Sequence, residues 1–212
     1  SKTDYCNFSD ADLAGAIFQG ADLTNSDFSA AENLNACRFD EETIWPDNEY
    51  LPEDIAILQI EQVDGRFHSR LNAKSKTYEY RIYKGSKPDV FERRYVWPME
   101  EKLDVAKMRE AAGHLTGTHD FMAFCGNRRM KKTTVRTIYQ IEIEETEHEI
   151  RMRFTGSGFL QNMVRILTGT LLEVGQGKRT PESVKAALEA KDRTQAGYTA
   201  PPQGLCLMRV DY

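Results

Sequence analysis

Cysteine and histidine are scarce in this sequence, with four of each among 212 residues. Cys6, Cys37, Cys125 and Cys206 stand far apart and form no C-x-x-C pair. A disulfide framework or a zinc site is therefore not expected, and a reducing cytoplasm is the expected compartment. No apolar run approaches the ~20 residues of a membrane-spanning helix. Nor does a basic-then-apolar leader open the chain, so neither membrane insertion nor secretion is expected. Bases are nearly absent from one end: residues 1–50 hold 11 acids against Lys2 and Arg38, a net of −9. Residues 51–212 carry 22 acids and 26 bases, a net of +4, so the overall −5 averages two unlike pieces. The hydrophobic share of 40%, with 10% aromatics, suffices for a packed core and excludes wholesale disorder.

The acidic piece is repetitive. Phe8, Leu13, Phe18, Leu23 and Phe28 recur every five residues, and two positions before each stands a small residue: Cys6, Ala11, Ala16, Ala21 and Ser26. Helices repeat every 3.6 residues and strands every two, so neither explains the spacing. A square coil with one side per five residues does. The segment resembles the pentapeptide-repeat family, which implies a right-handed quadrilateral β-helix over about residues 3–46. The period slips near Ala30-Ala31 and resumes at Leu34 and Phe39, and Phe39 to Pro46 reads as the close of an array. With about 20 residues per coil the segment makes fewer than two coils, and stacked repeats need several units to bury a continuous core. It is expected to be marginal alone.

The basic piece reads as α+β around one mainly antiparallel sheet. Strands are expected at 55–60, at 76–83 with Thr77, Glu79 and Arg81 facing away from Tyr78, Tyr80 and Ile82, at 135–145, at 149–155 and at 205–210. Helices are expected from Asp104 as cap through Met108, Ala111, Ala112 and Leu115 to a stop near Gly117, over 159–174, and from Thr180-Pro181. The domain boundary is placed between residues 48 and 49.

Generic motifs carry little. Gly156-Ser157-Gly158 has Gln161 in place of the third glycine of a dinucleotide fingerprint and reads as a tight turn. Gly175 to Arg179 lacks the spacing and hydroxyl of a phosphate loop, and His119-Asp120 has no placed nucleophile. Arg128, Arg129, Lys131 and Lys132, followed by Arg136, form a like-charge run that is either a solvated loop or a phosphate contact. On residues alone, Tyr78 is one more strand aromatic, Arg165 a helix arginine and Leu205 ordinary core.

A resemblance joins these fragments. Leu51-Pro52-Glu53-Asp54-Ile55, Phe67-His68-Ser69-Arg70, Ala73 to Tyr78, Gly117-Thr118-His119-Asp120-Phe121 and Thr134 to Ile138 occur in order. Gly158 to Arg165, Lys191-Asp192-Arg193 and Ala200 to Leu205 follow. Together they are similar to the TruA-type tRNA pseudouridine synthases, over roughly the C-terminal two-thirds of a member. The resemblance implies isomerisation of uridine to pseudouridine in the tRNA anticodon arm, with no cofactor or metal, tRNA as partner and a possible homodimer. It implies that Tyr78 stacks on the flipped base, that Arg165 pairs with a catalytic aspartate, and that Leu205 packs against the base. It departs at one point. The family's aspartate lies in an Arg-Thr-Asp-Ala-Gly-Val-His type loop preceding these motifs, and no such string occurs among these 212 residues. Inactivity of the chain alone is the expectation. An RNA-binding pseudoenzyme and an interaction protein working through the repeats are the alternatives.

Overall fold

The computed structural model describes residues 6–13, 15–19, 21–24, 26–32, 65–127 and 129–212. The chain divides into two compact units, Ser1–Phe67 and His68–Tyr212. The strand expected at 55–60, the resumed repeat at Leu34 and Phe39, the close before Pro46, the 48/49 boundary, Cys37 and Arg128 lie outside the described residues.

In the first unit a tight turn recurs every five residues. Ala11, Ala16, Ala21, Ser26 and Ala31 each donate their backbone N–H to the carbonyl of the apolar residue three before, from Phe8 to Phe28. Ala31 thus stays in phase with the period. Parallel bridges join Asn7 to Asp27 and Asp12 to Glu32, positions separated by four such five-residue sides. Asn7, Asp22 and Asp27 turn their side-chain oxygens onto the N–H two residues ahead, which is why short polar side chains recur beside the apolar ones. Leu13, Phe18, Leu23 and Phe28 are buried, and Phe8 stacks on Phe28 at 4.8 Å while Phe18 meets both edge-on.

The second unit is α+β, as expected. Its strands are β1 (Ser75–Lys84), β2 (Trp97–Met99), β3 (Gly117–Asp120), β4 (Val135–Glu145), β5 (Glu149–Gly156) and β6 (Leu205–Asp211). They form one six-stranded sheet in the order β2-β1-β5-β4-β3, with β6 also on β1. Every pairing is antiparallel except β1 with β2. The helices are α1 (Val105–Gly113), α2 (Met163–Gly175) and α3 (Pro181–Ala190). Asp104 and Thr180 cap α1 and α3 by accepting from the N–H groups of Lys107 and Ser183.

Two expectations need correction, and two short strands were not expected. The helix expected over 159–174 begins at Met163, because Asn162 adopts a left-handed conformation (φ 57°) and breaks the helical run. α1 stops at Gly113, before Leu115, which still reaches the core through a turn to Ala112. The short strands β2 and β3 had no period-2 run long enough to show in the sequence.

All three helices pack on one face of the sheet. Tyr80 and Ile82 of β1, Ile143 of β4, and Ile150, Met152 and Phe154 of β5 meet Met108, Leu167, Leu171, Val184 and Leu188 there. Residues of α2 are buried almost all round, the pattern of a central helix rather than a surface one. Among the described residues no helix is long and apolar enough to cross a membrane.

Candidate active site

The site residues read from the sequence come from three elements. Tyr78 lies on β1 opposite Phe154 of β5 and Leu207 of β6, and so faces the helix layer with Tyr80 and Ile82. It is the fourth of the ten residues of the strand and is half-buried. Its ring meets Phe159 edge-on at 5.3 Å. Phe159 belongs to the non-helical lead-in to α2, so the corrected helix start is what brings an aromatic across to Tyr78.

Arg165 sits in the first turn of α2. Its Nε donates to the Ala200 carbonyl at 2.6 Å and its Nη1 to Asn162 Oδ1 at 3.3 Å, while the Arg165 carbonyl accepts from the Ala200 N–H. All these partners are neutral, and Arg165 makes no ion pair with any described residue. The next residue of the strap, Pro201, accepts from the Tyr80 hydroxyl at 2.7 Å. Burial pushes the Tyr80 phenol well above its usual range, Tyr198 adds to this, and the charge of Arg165 offsets part of it. Tyr80 is therefore a neutral donor that holds the strap.

From Pro201 the chain turns through Pro202–Gly204 into Leu205, which pairs with Tyr80. Gly204 is required here: a Cβ would stand 2.7 Å from the Arg81 carbonyl and 2.8 Å from the Tyr80 ring. Leu205 itself is half-buried against the core. Phe159 thus meets Tyr78, and the 200–204 strap joins Arg165 to Tyr80 and Leu205.

Beside Arg165 opens a cavity of about 430 Å³, lined by Gly126, Asn162, Arg193, Tyr198 and Thr199 among others. The Tyr198 phenol is pushed up to about 12 by burial, with Glu173 and Glu101 adding to the effect. Arg193 donates to the carbonyls of Ala196 and Gly197 and to Thr199 Oγ1, and so shapes the cavity wall.

The basic run rises from the same place. Gly126 donates its N–H to the Gln161 carbonyl, and a Cβ at Gly126 would stand 3.0 Å from Asn162 Nδ2. Asn127 then caps the Arg129 N–H, and Met130 packs onto the core. Arg129, Lys131 and Lys132 are exposed and make no ion pair among the described residues. Arg136 differs: its Nη1 donates to the carbonyls of Thr133 and Val135, so it braces its own loop.

Asp120 serves the scaffold. It accepts from Thr134 Oγ1 at 2.5 Å, from the Met122 N–H at 3.2 Å, and pairs with Lys191 Nζ at 3.0 Å. The Thr134 hydroxyl above all, then Lys191, hold its carboxyl below the usual range. Three separate sequence strings meet at this one carboxylate. Phe159, Asn162, Tyr80 and the Ala200 and Pro201 carbonyls were not picked out from the sequence as site groups. Phe159, Asn162, Ala200 and Pro201 lie within the matching strings, and Tyr80 stands two residues from Tyr78 on the same strand face.

Comparison with known proteins adds four findings. The profile of a family described as tRNA pseudouridine synthase matches residues 111–212, and pentapeptide repeats match residues 5–41. The chain is 51% identical over 170 residues to tRNA pseudouridine synthase A of Bacillus subtilis (strain 168), covering 79% of this chain and 69% of that protein. It is 47% identical over 173 residues to the protein of the same name from Bacillus licheniformis, covering 81% of this chain and 70% of that one.

Proposed function

The chain belongs to the tRNA pseudouridine synthase family, and we propose that its second unit binds the anticodon arm of tRNA and receives a flipped uridine at Tyr78, Arg165 and Leu205. Flipping costs a few kcal/mol of unstacking, which a flat aromatic face and an apolar side chain offset. In the isomerisation an aspartate acts on the ribose while the glycosidic bond breaks, and the freed uracil turns and rejoins through carbon. Tyr78 supplies the stacking face and a hydroxyl able to move a proton to or from the base. Arg165 supplies a positive charge that would hold the aspartate ionised and oriented.

The observation that carries this reading is the state of Arg165. It is oriented by two neutral acceptors, Ala200 O and Asn162 Oδ1, and meets no carboxylate among the described residues. With no Arg-Thr-Asp string among these 212 residues, the chain by itself is a binding half-site without turnover. Tritium release from tRNA labelled at uracil C5 tests both parts. The chain alone should release none. Addition in trans of the aspartate-bearing segment of a relative should restore release, and Arg165→Ala should abolish that rescue. Robust release by the unaided chain would overturn the inactivity.

The five-residue turns and the bridges between Asn7 and Asp27 and between Asp12 and Glu32, together with the repeat match, support reading the acidic segment as a short right-handed quadrilateral β-helix. A match of 170 residues cannot fit within His68–Tyr212, which supports a family boundary near residue 48.

A further inference from the structure

The connection from β1 to β2 is closed at its base and offers aromatics at its tip. Gly85 donates its N–H to the Met99 carbonyl, and Val96 is fully buried. Within the turn, Glu92 and Arg93 both donate their N–H groups to the Asp89 carbonyl, Phe91 donates to Asp89 Oδ1 at 2.9 Å, and Tyr95 donates to the Glu92 carbonyl at 2.8 Å. Arg81 of β1 clamps the turn through Glu92 at 2.6 Å. This well-tied segment nevertheless leaves Phe91 85%, Val90 66% and Tyr95 63% exposed. Interleaved with them are Lys87, Arg93 and Arg94, exposed and without an ion-pair partner among the described residues. Both acids of the turn are engaged, Glu92 by Arg81 and Asp89 by the Phe91 N–H.

We infer that residues 87–95 form a further RNA contact, distinct from the residues around Arg165 and from the 129–132 run, which takes unpaired nucleotides. Phe91 and Tyr95 supply faces for stacked bases, and Lys87, Arg93 and Arg94 meet the flanking phosphates. A duplex keeps its base faces covered, so loops and single strands are the ligands. Charge favours a polyanion as the occupant: Lys87, Arg93 and Arg94 flank the exposed aromatics, and phosphates complement them. RNA meets both features at once. The inference rests on the proposed tRNA binding and deepens it.

The test is the affinity of the full chain for a tRNA transcript, measured by fluorescence anisotropy across a salt series. Phe91→Ala with Tyr95→Ala should weaken binding at least about thirtyfold with little change in salt slope, since stacking is worth ~1–3 kcal/mol per base and two bases lose their platforms. Arg93→Ala with Arg94→Ala should flatten the slope of log K against log salt by about 1.5, because two phosphates are then no longer neutralised. Phe91→Trp should bind like the parent and Phe91→Leu should not. Because these side chains are exposed, thermal midpoints should be unchanged. Parental affinity and slope in both double variants would overturn the tip as a contact while leaving tRNA binding intact. No tRNA binding by the parent would overturn the functional reading, and this inference with it. A parental dimer that Phe91→Ala with Tyr95→Ala converts to monomer, at unchanged tRNA affinity, would reassign the tip to self-association.

Discussion

The two faces of the β1-β5-β4 sheet are built from different forces. On the helix-covered face, Tyr78, Tyr80 and Ile82 lie opposite Phe154, Met152 and Ile150, and burial of apolar area holds them. On the other face Glu79 lies opposite Arg153 and Arg81 opposite Arg151, with Glu142 and Glu144 of β4 continuing the two rows. Arg153 Nε bonds Glu79 at 2.7 Å, and Glu149 is shared by Arg81 and Arg151 at 2.6 and 2.9 Å. Glu79 is 5% exposed although its face carries no helix, because the arginine opposite covers it.

The contrast locates function. Guanidiniums on the charged face are already matched by carboxylates, which leaves little net charge there for a phosphate. Among the described residues, cations without a carboxylate partner stand instead in the loops at 87–94 and 129–132 and at Arg165.

Three measurements would break or sharpen that contrast. The largest effect is expected on the apolar face. Phe154→Ala, at a fully buried position, should lose ~3–5 kcal/mol by chemical denaturation, and a loss under ~1 kcal/mol would show that the helix layer does not carry the sheet.

The charged face should answer to pH instead. Burial raises the Glu149 carboxyl, but Arg81 and Arg151 outweigh this and hold it below its usual range. A carboxyl depressed in the folded state contributes stability above its unfolded pKa and loses it as pH falls through the folded value. Glu149→Gln should therefore cost ~1–2 kcal/mol at pH 7, and the gap to the parent should narrow as pH drops below ~4. A gap that does not change with pH would mean that packing, not charge, holds this face.

The smallest effect has the opposite sign. Thr168 of α2 is fully buried on the apolar side and its hydroxyl has no partner among the described residues. Thr168→Val should raise the melting temperature, by an amount equivalent to ~1 kcal/mol. Destabilisation there would point to a bond for the hydroxyl outside the described residues.

Much of the second unit was legible locally. Asp104 and Thr180 with Pro181 announced two helix starts, and the alternation from Thr77 to Ile82 announced β1, because caps and period-2 patterns are short-range effects. The start of α2 was not legible. Phe159, Leu160 and Met163 suit a helix, and what stops it is the left-handed Asn162, packed against Gly126 from another part of the chain. The candidate site at Tyr78, Arg165 and Leu205 rests on resemblance. The groups that hold it, Asn162, Tyr80 and the Ala200 and Pro201 carbonyls, were not legible as site groups. A backbone carbonyl has no letter in a sequence.

What the sequence by itself determined is periodicity and kinship. The five-residue repeat set the turns of the first unit, the alternation in β1 set which side chains share a face, and the ordered strings set the family. The tertiary structure alone decided the environment of each charge. Arg165 and Arg153 look alike in a sequence, yet one is held by neutral oxygens at the candidate site and the other is matched to a buried glutamate. That difference depends on which strands and straps lie alongside, and long-range packing fixes those neighbours.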